Sequence, residues 1–165
     1  MDDGNNTALY AFRKYGDTVL RAAYACCGSY TEAEDITQDV FLMLHTKPRS
    51  FDGDEHIKAW LLRVTVNKCK NLKRSFRFSR TRSMEELDDA AAAYNIDTTH
   101  IEMKELIASL PKKYSSVIFL YYYEGYKIAE IAEILGKNAN TVSSLLNRGR
   151  EKLRHELTMT EEETL

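Results

Sequence analysis

The chain has 165 residues, 44% of them apolar, and its 23 Lys and Arg against 25 Asp and Glu give a formal net charge of −2. This length fits one domain or two small ones and excludes a large enzyme barrel. No apolar run approaches the roughly 18 residues of a membrane-spanning helix, and the acidic start Met1-Asp2-Asp3 lacks the basic residues of a signal peptide. We therefore expect a soluble cytoplasmic protein with no membrane insertion.

Opposite charges are segregated along the chain, so the small net charge does not exclude nucleic-acid binding. Residues 1–55 hold five basic and ten acidic side chains, and residues 63–82 hold eight basic and no acidic ones. Residues 83–100 hold five acidic residues and no Lys or Arg. Blocks of this kind indicate contact with a polyanion or an extended tether, although a solvated helix face is the alternative.

The composition predicts an all-α protein, because only two prolines and seven glycines interrupt the chain and no alternating strand pattern of useful length appears. The acidic residues 83–100 separate two segments of different character and are the predicted linker. We expect two small helical domains, at residues 1–82 and 101–158, and a tail at residues 159–165. The C-terminal domain is expected to have four helices and to contain a helix-turn-helix.

In the first domain, a helix is predicted from Thr31 to about His45, with Thr31 and Glu34 forming a capping box. One side of this helix is an apolar stripe made of Ala33, Ile36, Val40 and Leu44. A second side is acidic with one apolar member and consists of Asp35, Gln38, Asp39 and Leu42. Acids near a helix N-terminus favour the helix dipole, but Asp39 lies beyond the first turn.

The next helix is predicted to begin near His56 and carries the basic segment. A broad apolar arc should face a core and includes Ile57, Trp60, Leu61, Val64, Cys69, Leu72 and Phe76. The opposite side carries a line of four cations and one amide, namely Arg63, Asn67, Lys70, Arg74 and Arg77. Cations position a helix on phosphates and an amide can discriminate bases, so this line indicates nucleic-acid binding. A solvated face would usually include Glu for pairing along the helix.

A loop with an aromatic residue at its tip precedes this basic helix. Phe51 is followed by Asp52 and Gly53, and the glycine favours an unusual turn. An exposed Phe51 can stack on an unpaired base. The spacing equally allows Phe51 to pack on Trp60 or Ile57.

Beyond the linker, a short amphipathic helix is predicted from Ile101 to Leu110, followed by Pro111 and a second helix from Lys112 to Tyr123. Consecutive residues cannot share one face of a helix. We therefore interpret the run Tyr121-Tyr122-Tyr123 as core and interface packing rather than as a stacking platform for bases.

The spacing of Ala132, Gly136 and Val142 is typical of a helix-turn-helix, with a small residue where the helices cross and a glycine in the turn. Two apolar stripes should be buried, namely Ile128, Ile131, Ala132 and Leu135, and then Val142, Leu146, Gly149 and Leu153. The turn and the outward face of the second helix offer groups suited to phosphates and base edges, namely Lys137, Asn140, Ser143, Ser144, Asn147 and Arg148. A helical hairpin unrelated to DNA is the alternative.

The chain resembles the extracytoplasmic-function sigma factors, small two-domain initiation subunits of bacterial RNA polymerase. Residues Glu32 to Leu42 are similar to the docking helix for core polymerase in that family. Residues Phe51 to Glu55 and Ala59 to Asn71 are similar to its promoter-melting loop and minus-ten helix, and Ile128 to Leu153 resembles its minus-thirty-five reader. These motifs follow one another in the order that the family shows, and they cover nearly all of the chain except the tether and tails.

This resemblance implies a function for each surface. Core RNA polymerase would be bound by Asp35, Gln38, Asp39 and Leu42. The minus-ten promoter DNA, with a flipped base of the melted non-template strand, would be bound by Phe51, Asp52, Arg63, Asn67, Lys70, Arg74 and Arg77. The minus-thirty-five duplex would be bound by Lys137, Asn140, Thr141, Ser143, Ser144, Asn147 and Arg148. The family is commonly held inactive by an anti-sigma factor, so such a protein is an expected partner.

The second DNA helix departs from the family pattern, because Ser143 and Leu145 stand where basic residues are usual. This departure weakens the expected phosphate attraction, and Leu145 is placed to join the core. The alternative function is a stand-alone helix-turn-helix regulator with an N-terminal dimerisation or sensing domain.

An enzyme is not expected. The four histidines are scattered, and no nucleophile beside a base, phosphate loop or metal-binding spacing is present in the sequence. Cys26, Cys27 and Cys69 lack the spacing of a zinc site and are interpreted as reduced core residues. We therefore expect no metal and no cofactor.

Overall fold

The computed structural model describes residues 3–75 and 98–163, and throughout these ranges the regular secondary structure is helical. The chain divides into two compact units, Met1–Tyr94 and Asn95–Leu165. The protein is therefore all-α, as predicted. Most of the expected acidic linker, together with Phe76 and Arg77, lies outside the described residues.

The described part of the first unit consists of α1 (Asp3–Cys27), α2 (Tyr30–Thr46) and α3 (Asp54–Ser75). The described part of the second unit consists of α4 (Thr98–Ser109), α5 (Lys112–Ile118) with a π-helical turn (Phe119–Tyr123), α6 (Ile128–Leu135) and α7 (Ala139–Glu163). Helix α7 runs past residue 158, where a tail was expected to begin. No described helix is long and apolar enough to cross a membrane.

Small side chains of α1 form the centre of the first unit, where α1 packs against both α2 and α3. The buried positions of α1 are mostly alanines, namely Ala8, Ala11, Ala22, Ala23 and Ala25. The predicted stripe of α2 faces this surface, because Ala33, Ile36, Val40 and Leu44 are all buried. Burial of this stripe leaves the other sides of α2 to the solvent.

The N-terminus of α2 differs from the prediction. The cap is Ser29, whose hydroxyl accepts a hydrogen bond from the backbone N–H of Glu32 at 3.4 Å, and not Thr31, which lies inside the helix. Gly28 has a φ of 75°, a conformation that glycine adopts readily at the end of a helix. Because the chain turns at Gly28, the next residue, Ser29, has the extended backbone of an N-cap and begins α2.

The buried side of α3 is rotated from the predicted arc. Leu62 and Val66 are buried beside Ile57, Leu61 and Cys69, whereas Trp60 and Val64 are only partly buried. Thr65 is also buried. Its hydroxyl is satisfied there, because it donates to the carbonyl oxygen of Leu61 at 2.6 Å. Nothing is described of the side chains of Leu72 and Arg74.

In the second unit, the turn glycine of the predicted helix-turn-helix is confirmed. Gly136 ends α6 with a φ of 65°, and the N–H of Lys137 donates to the carbonyl oxygen of Ala132 at 2.9 Å. The core beside this turn is made of Ile131, Ala132, Ile134, Val142, Leu145 and Leu146. Leu145 therefore belongs to the core, whereas Ile128, Leu135 and Leu153 are only partly buried.

Helix α7 packs closely against α5 at Gly149. A β-carbon at this position would lie 2.8 Å from Cδ1 of Ile118 and 3.4 Å from Cβ of Tyr114. The distance to Ile118 is shorter than normal van der Waals contact. The absence of a side chain at Gly149 therefore allows the two helices to lie this close together.

Replacing Gly149 by Val tests this packing. The added side chain has to push Ile118 aside, so the free energy of unfolding of the second unit should fall by about 1–3 kcal/mol. Urea unfolding of the full chain followed by circular dichroism should show this loss. The fluorescence of Trp60, the one tryptophan of the chain, should report an unchanged transition in the first unit.

Glu151→Val is the matched control, because it puts the same β-branched residue at an exposed position of α7. It should cost only the small difference in helix propensity. An equal loss in both variants would contradict the close approach at Gly149.

Candidate nucleic-acid and protein interfaces

The acidic face of α2 is fully on the solvent side. Asp35, Gln38, Asp39 and Leu42 are all exposed, and they lie at helical spacings of three and four residues opposite the buried stripe. Leu42 is 58% exposed. The structure thus brings the four predicted residues together on one surface, which we call the acidic face.

The basic line of α3 is exposed as far as its side chains are described. Arg63, Asn67 and Lys70 all lie in solvent, and Asn71 is exposed beside them. Asn71 was not singled out from the sequence, although its spacing of four residues from Asn67 would have placed it on this side. The side chain of Arg74 and all of Arg77 lie outside the described residues.

The loop before α3 holds Phe51 against α3 and does not leave it free in solvent. The Phe51 ring packs edge-on against Trp60, with 5.7 Å between centroids, and against His56, with 5.2 Å. Of the alternatives that the spacing allowed, the structure therefore shows packing on Trp60, and Phe51 is partly buried. Arg49 lies over the ring of Trp60, with its guanidinium carbon 5.4 Å from the ring centroid.

The same loop is shaped by a backbone contact to α3. The N–H of Asp52 donates to Nδ1 of His56 at 3.1 Å, while the Asp52 carboxylate extends into solvent. Gly53 has a φ of 145°, a value that favours glycine. The hydrogen bond from Asp52 and the ring contacts of Phe51 thus both attach the loop to the start of α3.

A polar cluster at the start of α3, which the sequence did not reveal, ties this loop to α1. Lys14 forms an ion pair with the Asp54 carboxylate, and the Tyr10 hydroxyl donates to it at 2.9 Å. The Tyr15 hydroxyl donates to the backbone carbonyl oxygen of Asp54 at 3.2 Å. The hydrogen bonds from Lys14 and Tyr10 lower the pKa of Asp54, and the hydrogen bond to Asp54 raises the pKa of Lys14.

The predicted DNA face of the second unit is largely exposed. Lys137, Asn140, Thr141, Ser144, Asn147 and Arg148 lie in solvent, and Ser143 is partly buried. Asn138, which sequence reasoning did not single out, caps α7 because its Oδ1 accepts a hydrogen bond from the N–H of Thr141 at 2.7 Å. An asparagine directly before a helix is the signal that would have revealed this cap.

The tyrosine run of the second unit is not core packing as interpreted from the sequence. Tyr122 is 55% exposed, Tyr123 is also exposed, and Tyr121 is partly buried. The buried residues of the π-helical turn are Phe119 and Leu120. Arg150 of α7 donates from Nε to the hydroxyl of Tyr122, so the π-helical turn contacts α7 from the side.

The described residues offer no site for metal chemistry. They contain no group of three or more His, Cys, Asp and Glu side chains that could hold a metal ion. Cys26 and Cys69 are buried thiols, and Cys27 is partly buried. The surfaces described above are therefore the candidate functional sites of the described part of the chain.

Two family models match the chain, the sigma-70 region 2 model at residues 11–79 and the sigma-70 region 4 model at residues 100–153. The first match includes the acidic face, the Phe51 loop and the basic line, and the second includes the helix-turn-helix. These two regions define a sigma-70 type initiation factor of bacterial RNA polymerase.

The curated relatives narrow this class. The ECF RNA polymerase sigma factor SigW of Bacillus subtilis is 29% identical over 161 residues, covering 87% of this chain and 84% of that protein. The ECF RNA polymerase sigma factor EcfG of Rhodopseudomonas palustris is 30% identical over 142 residues, covering 81% and 76%. The chain therefore belongs to the extracytoplasmic-function (ECF) sigma factors.

A solved structure shows the same fold. The sigma factor RpoE of Bartonella quintana, crystallised with the anti-sigma factor NepR, superimposes with a TM-score of 0.70. The similarity covers 96% of this chain and 98% of that one, at 20% sequence identity.

The Asp54 cluster predicts a pH-dependent stability of the first unit. Because folding lowers the pKa of Asp54, its stabilisation is present above the ordinary aspartate pKa of about 4 and is lost as the pH falls through the lowered value. Because folding raises the pKa of Lys14, its contribution is present below the ordinary lysine pKa of about 10 and is lost above the raised value. Asp54→Asn should therefore lower the melting temperature slightly at pH 7.

Thermal unfolding followed by Trp60 fluorescence measures this difference. The difference between the wild type and Asp54→Asn should shrink as the pH falls below about 4. Asp17→Asn, at an exposed carboxylate of α1, should melt like the wild type both at pH 7 and at acidic pH. A difference that persists unchanged at acidic pH would show that Asp54 acts through something other than its charge.

Proposed function

We propose that this ECF sigma factor binds core RNA polymerase with the acidic face, opens and reads the minus-ten element with the Phe51 loop and the basic line, and reads the minus-thirty-five element with α7. One observation carries this assignment. The acidic face and the basic line lie on different helices of the first unit, and each is exposed because the other side of its helix is buried.

The acidic face fits a protein partner better than DNA. Asp35 and Asp39 would repel phosphates, whereas Leu42 offers apolar area that a protein surface can bury. Burying an exposed leucine side chain is worth about 2 kcal/mol, and the carboxylates around it select a basic partner surface. Core RNA polymerase is the partner that membership of this family supports.

The Phe51 loop and the basic line fit melted promoter DNA. Arg63 and Lys70 can bind phosphates, while the exposed amide of Asn67 can hydrogen-bond a base edge. Phe51 is held in place by Trp60 and His56, so its stacking on an unpaired base requires little ordering of the loop. Stacking of this kind is worth about 1–3 kcal/mol per base.

The exposed side of α7 fits duplex DNA. Asn140 and Asn147 can reach base edges, and Lys137 and Arg148 can neutralise phosphates. The phosphate attraction of this helix is modest, because Leu145 is buried and Ser143 is neutral. Specific binding at the minus-thirty-five element therefore depends on core polymerase holding the two units on one promoter.

The remaining parts of the proposal concern regulation and location. The relative RpoE of Bartonella quintana was crystallised with the anti-sigma factor NepR. We propose that this chain is likewise held inactive by an anti-sigma factor, that it acts in the cytoplasm beside RNA polymerase, and that it has no catalytic activity of its own.

Reconstituted transcription tests the proposal. A pool of templates with randomised promoter sequence is transcribed with bacterial core polymerase, with and without the purified chain. We expect the chain to select templates that share two spaced elements and to yield full-length transcripts from them. Binding of the chain to duplex DNA without promoter opening would instead indicate a stand-alone helix-turn-helix regulator.

Two variants separate the surfaces. Asn67→Ala should reduce transcription from selected promoters by about tenfold, the value of one good base contact, while core binding measured by fluorescence anisotropy stays at the wild-type level. Asp39→Lys should weaken core binding because the charge on the acidic face is reversed. Once core is supplied in excess, this variant should open promoters normally.

Asp17→Lys is the control for charge reversal, since Asp17 is exposed on α1 outside the acidic face. It should leave core binding unchanged. If Asn67→Ala and Asp39→Lys both lowered core binding and promoter opening to the same extent, the division into separate surfaces would be wrong.

A further inference from the structure

Arg150 of α7 packs against the π-helical turn. Its Nε donates to the hydroxyl of Tyr122, and its guanidinium carbon lies 5.4 Å from the ring centroid of Tyr121 and 5.5 Å from that of Tyr122. Its Nη1 donates to Oδ1 of Asn147 at 3.2 Å. Arg150 thus joins two tyrosines to a residue of the proposed minus-thirty-five surface.

The π-helical turn puts the tyrosines in position for this contact. Phe119 and Leu120 are buried, and the wider π-helical turn shifts the residues that follow relative to a continuous α-helix. Tyr121 and Tyr122 then lie beside α7, where two aromatic rings attract one guanidinium. A hydrogen bond from a charged donor adds to this attraction.

The contact to Asn147 fixes the orientation of its side-chain amide. A guanidinium has only hydrogen-bond donors, so Arg150 can be satisfied by Oδ1 of Asn147 and not by its NH₂ group. The NH₂ group therefore points away from Arg150. Because Asn147 is exposed on α7, its two N–H donors are the groups presented outward.

We propose that Arg150 is a positioning residue that makes Asn147 a hydrogen-bond donor toward the minus-thirty-five DNA, with Tyr121 and Tyr122 holding Arg150 in place. This inference rests on the proposed reading of that element by α7. In the major groove guanine, adenine and thymine offer acceptors, whereas cytosine offers an amino donor. Asn147 with its NH₂ outward should therefore disfavour cytosine at the base it contacts.

The base preference of the chain with core polymerase tests this inference. Transcripts are counted from a pool of templates randomised across the minus-thirty-five element. At one position the wild type should disfavour cytosine by about tenfold, and Asn147→Ala should abolish this preference. Arg150→Lys, which keeps the charge but cannot form the same fork, should lose most of it. Tyr122→Phe, which removes one hydroxyl, should reduce it by about threefold.

Lys152→Ala is the matched control. Lys152 is another exposed cation of α7 and lies 5.6 Å from the ring centroid of Tyr114, so its loss changes the charge of the helix without touching Arg150. It should lower transcription evenly across the pool and leave the base preference intact. Melting curves followed by circular dichroism should show that Tyr122→Phe and Arg150→Lys remain folded.

The possible outcomes separate this inference from the proposed function. If Asn147→Ala removes a base preference that Arg150→Lys and Tyr122→Phe both retain, Arg150 does not position Asn147. If Asn147→Ala changes nothing while transcription still depends on the minus-thirty-five sequence, Asn147 is not a reader and the inference fails. If the wild type with core shows no dependence on that sequence, the proposed function of α7 itself is wrong.

Discussion

The packing of α2 and α3 on the alanine-rich side of α1 determines what the first unit can present to its partners. A helix buries one side and exposes the other, and here Ala22 and Ala23 give α1 the small surface that the larger side chains of its neighbours cover. The rotation of α2 that buries the stripe centred on Val40 and Leu44 leaves Asp35 and Asp39 on the exposed side. In the same way, the rotation of α3 that buries Val66 exposes Asn67. The two surfaces proposed for polymerase binding and for DNA reading thus both depend on this one core.

In the second unit, two glycines determine which side of α7 is exposed. Gly149 lets α7 lie directly against α5, and Gly136 turns the chain from α6 into α7 in a left-handed conformation. The turn at Gly136 sets the direction of α7, and the packing at Gly149 sets its rotation. With this rotation Leu146 lies in the core and Asn147 lies in solvent. The π-helical turn then adds a contact from the side. The Arg150 network is therefore built on the same packing that creates the DNA surface.

Periodic patterns predicted the parts of this fold that depend on single helices. The stripe of α2 and the glycine of the helix-turn-helix follow from residue spacing alone, and both are confirmed. The cap at Ser29 was missed because the turn at Gly28, not the capping pattern at Thr31, sets where α2 begins. The contacts Lys14–Asp54 and Arg150–Tyr122 join residues 40 and 28 positions apart, and no local pattern encodes such pairs. The core part of the interpretation of the tyrosine run is wrong, because Tyr122 and Tyr123 are exposed in a π-helical turn that breaks the period of 3.6 residues.

The small net charge of −2 is a consequence of the same division of surfaces. Eight basic residues within residues 63–82 would hold any DNA through its phosphates, because counterion release does not depend on sequence. Carboxylates elsewhere in the chain, including those of the acidic face, oppose this attraction at long range. Discrimination among DNA sequences is a difference between affinities, so weakening the non-specific part increases the weight of base contacts such as those proposed for Asn67 and Asn147. A near-neutral chain therefore suits the proposed function, in which the protein finds a few promoters among many other sites and core polymerase contributes to the affinity.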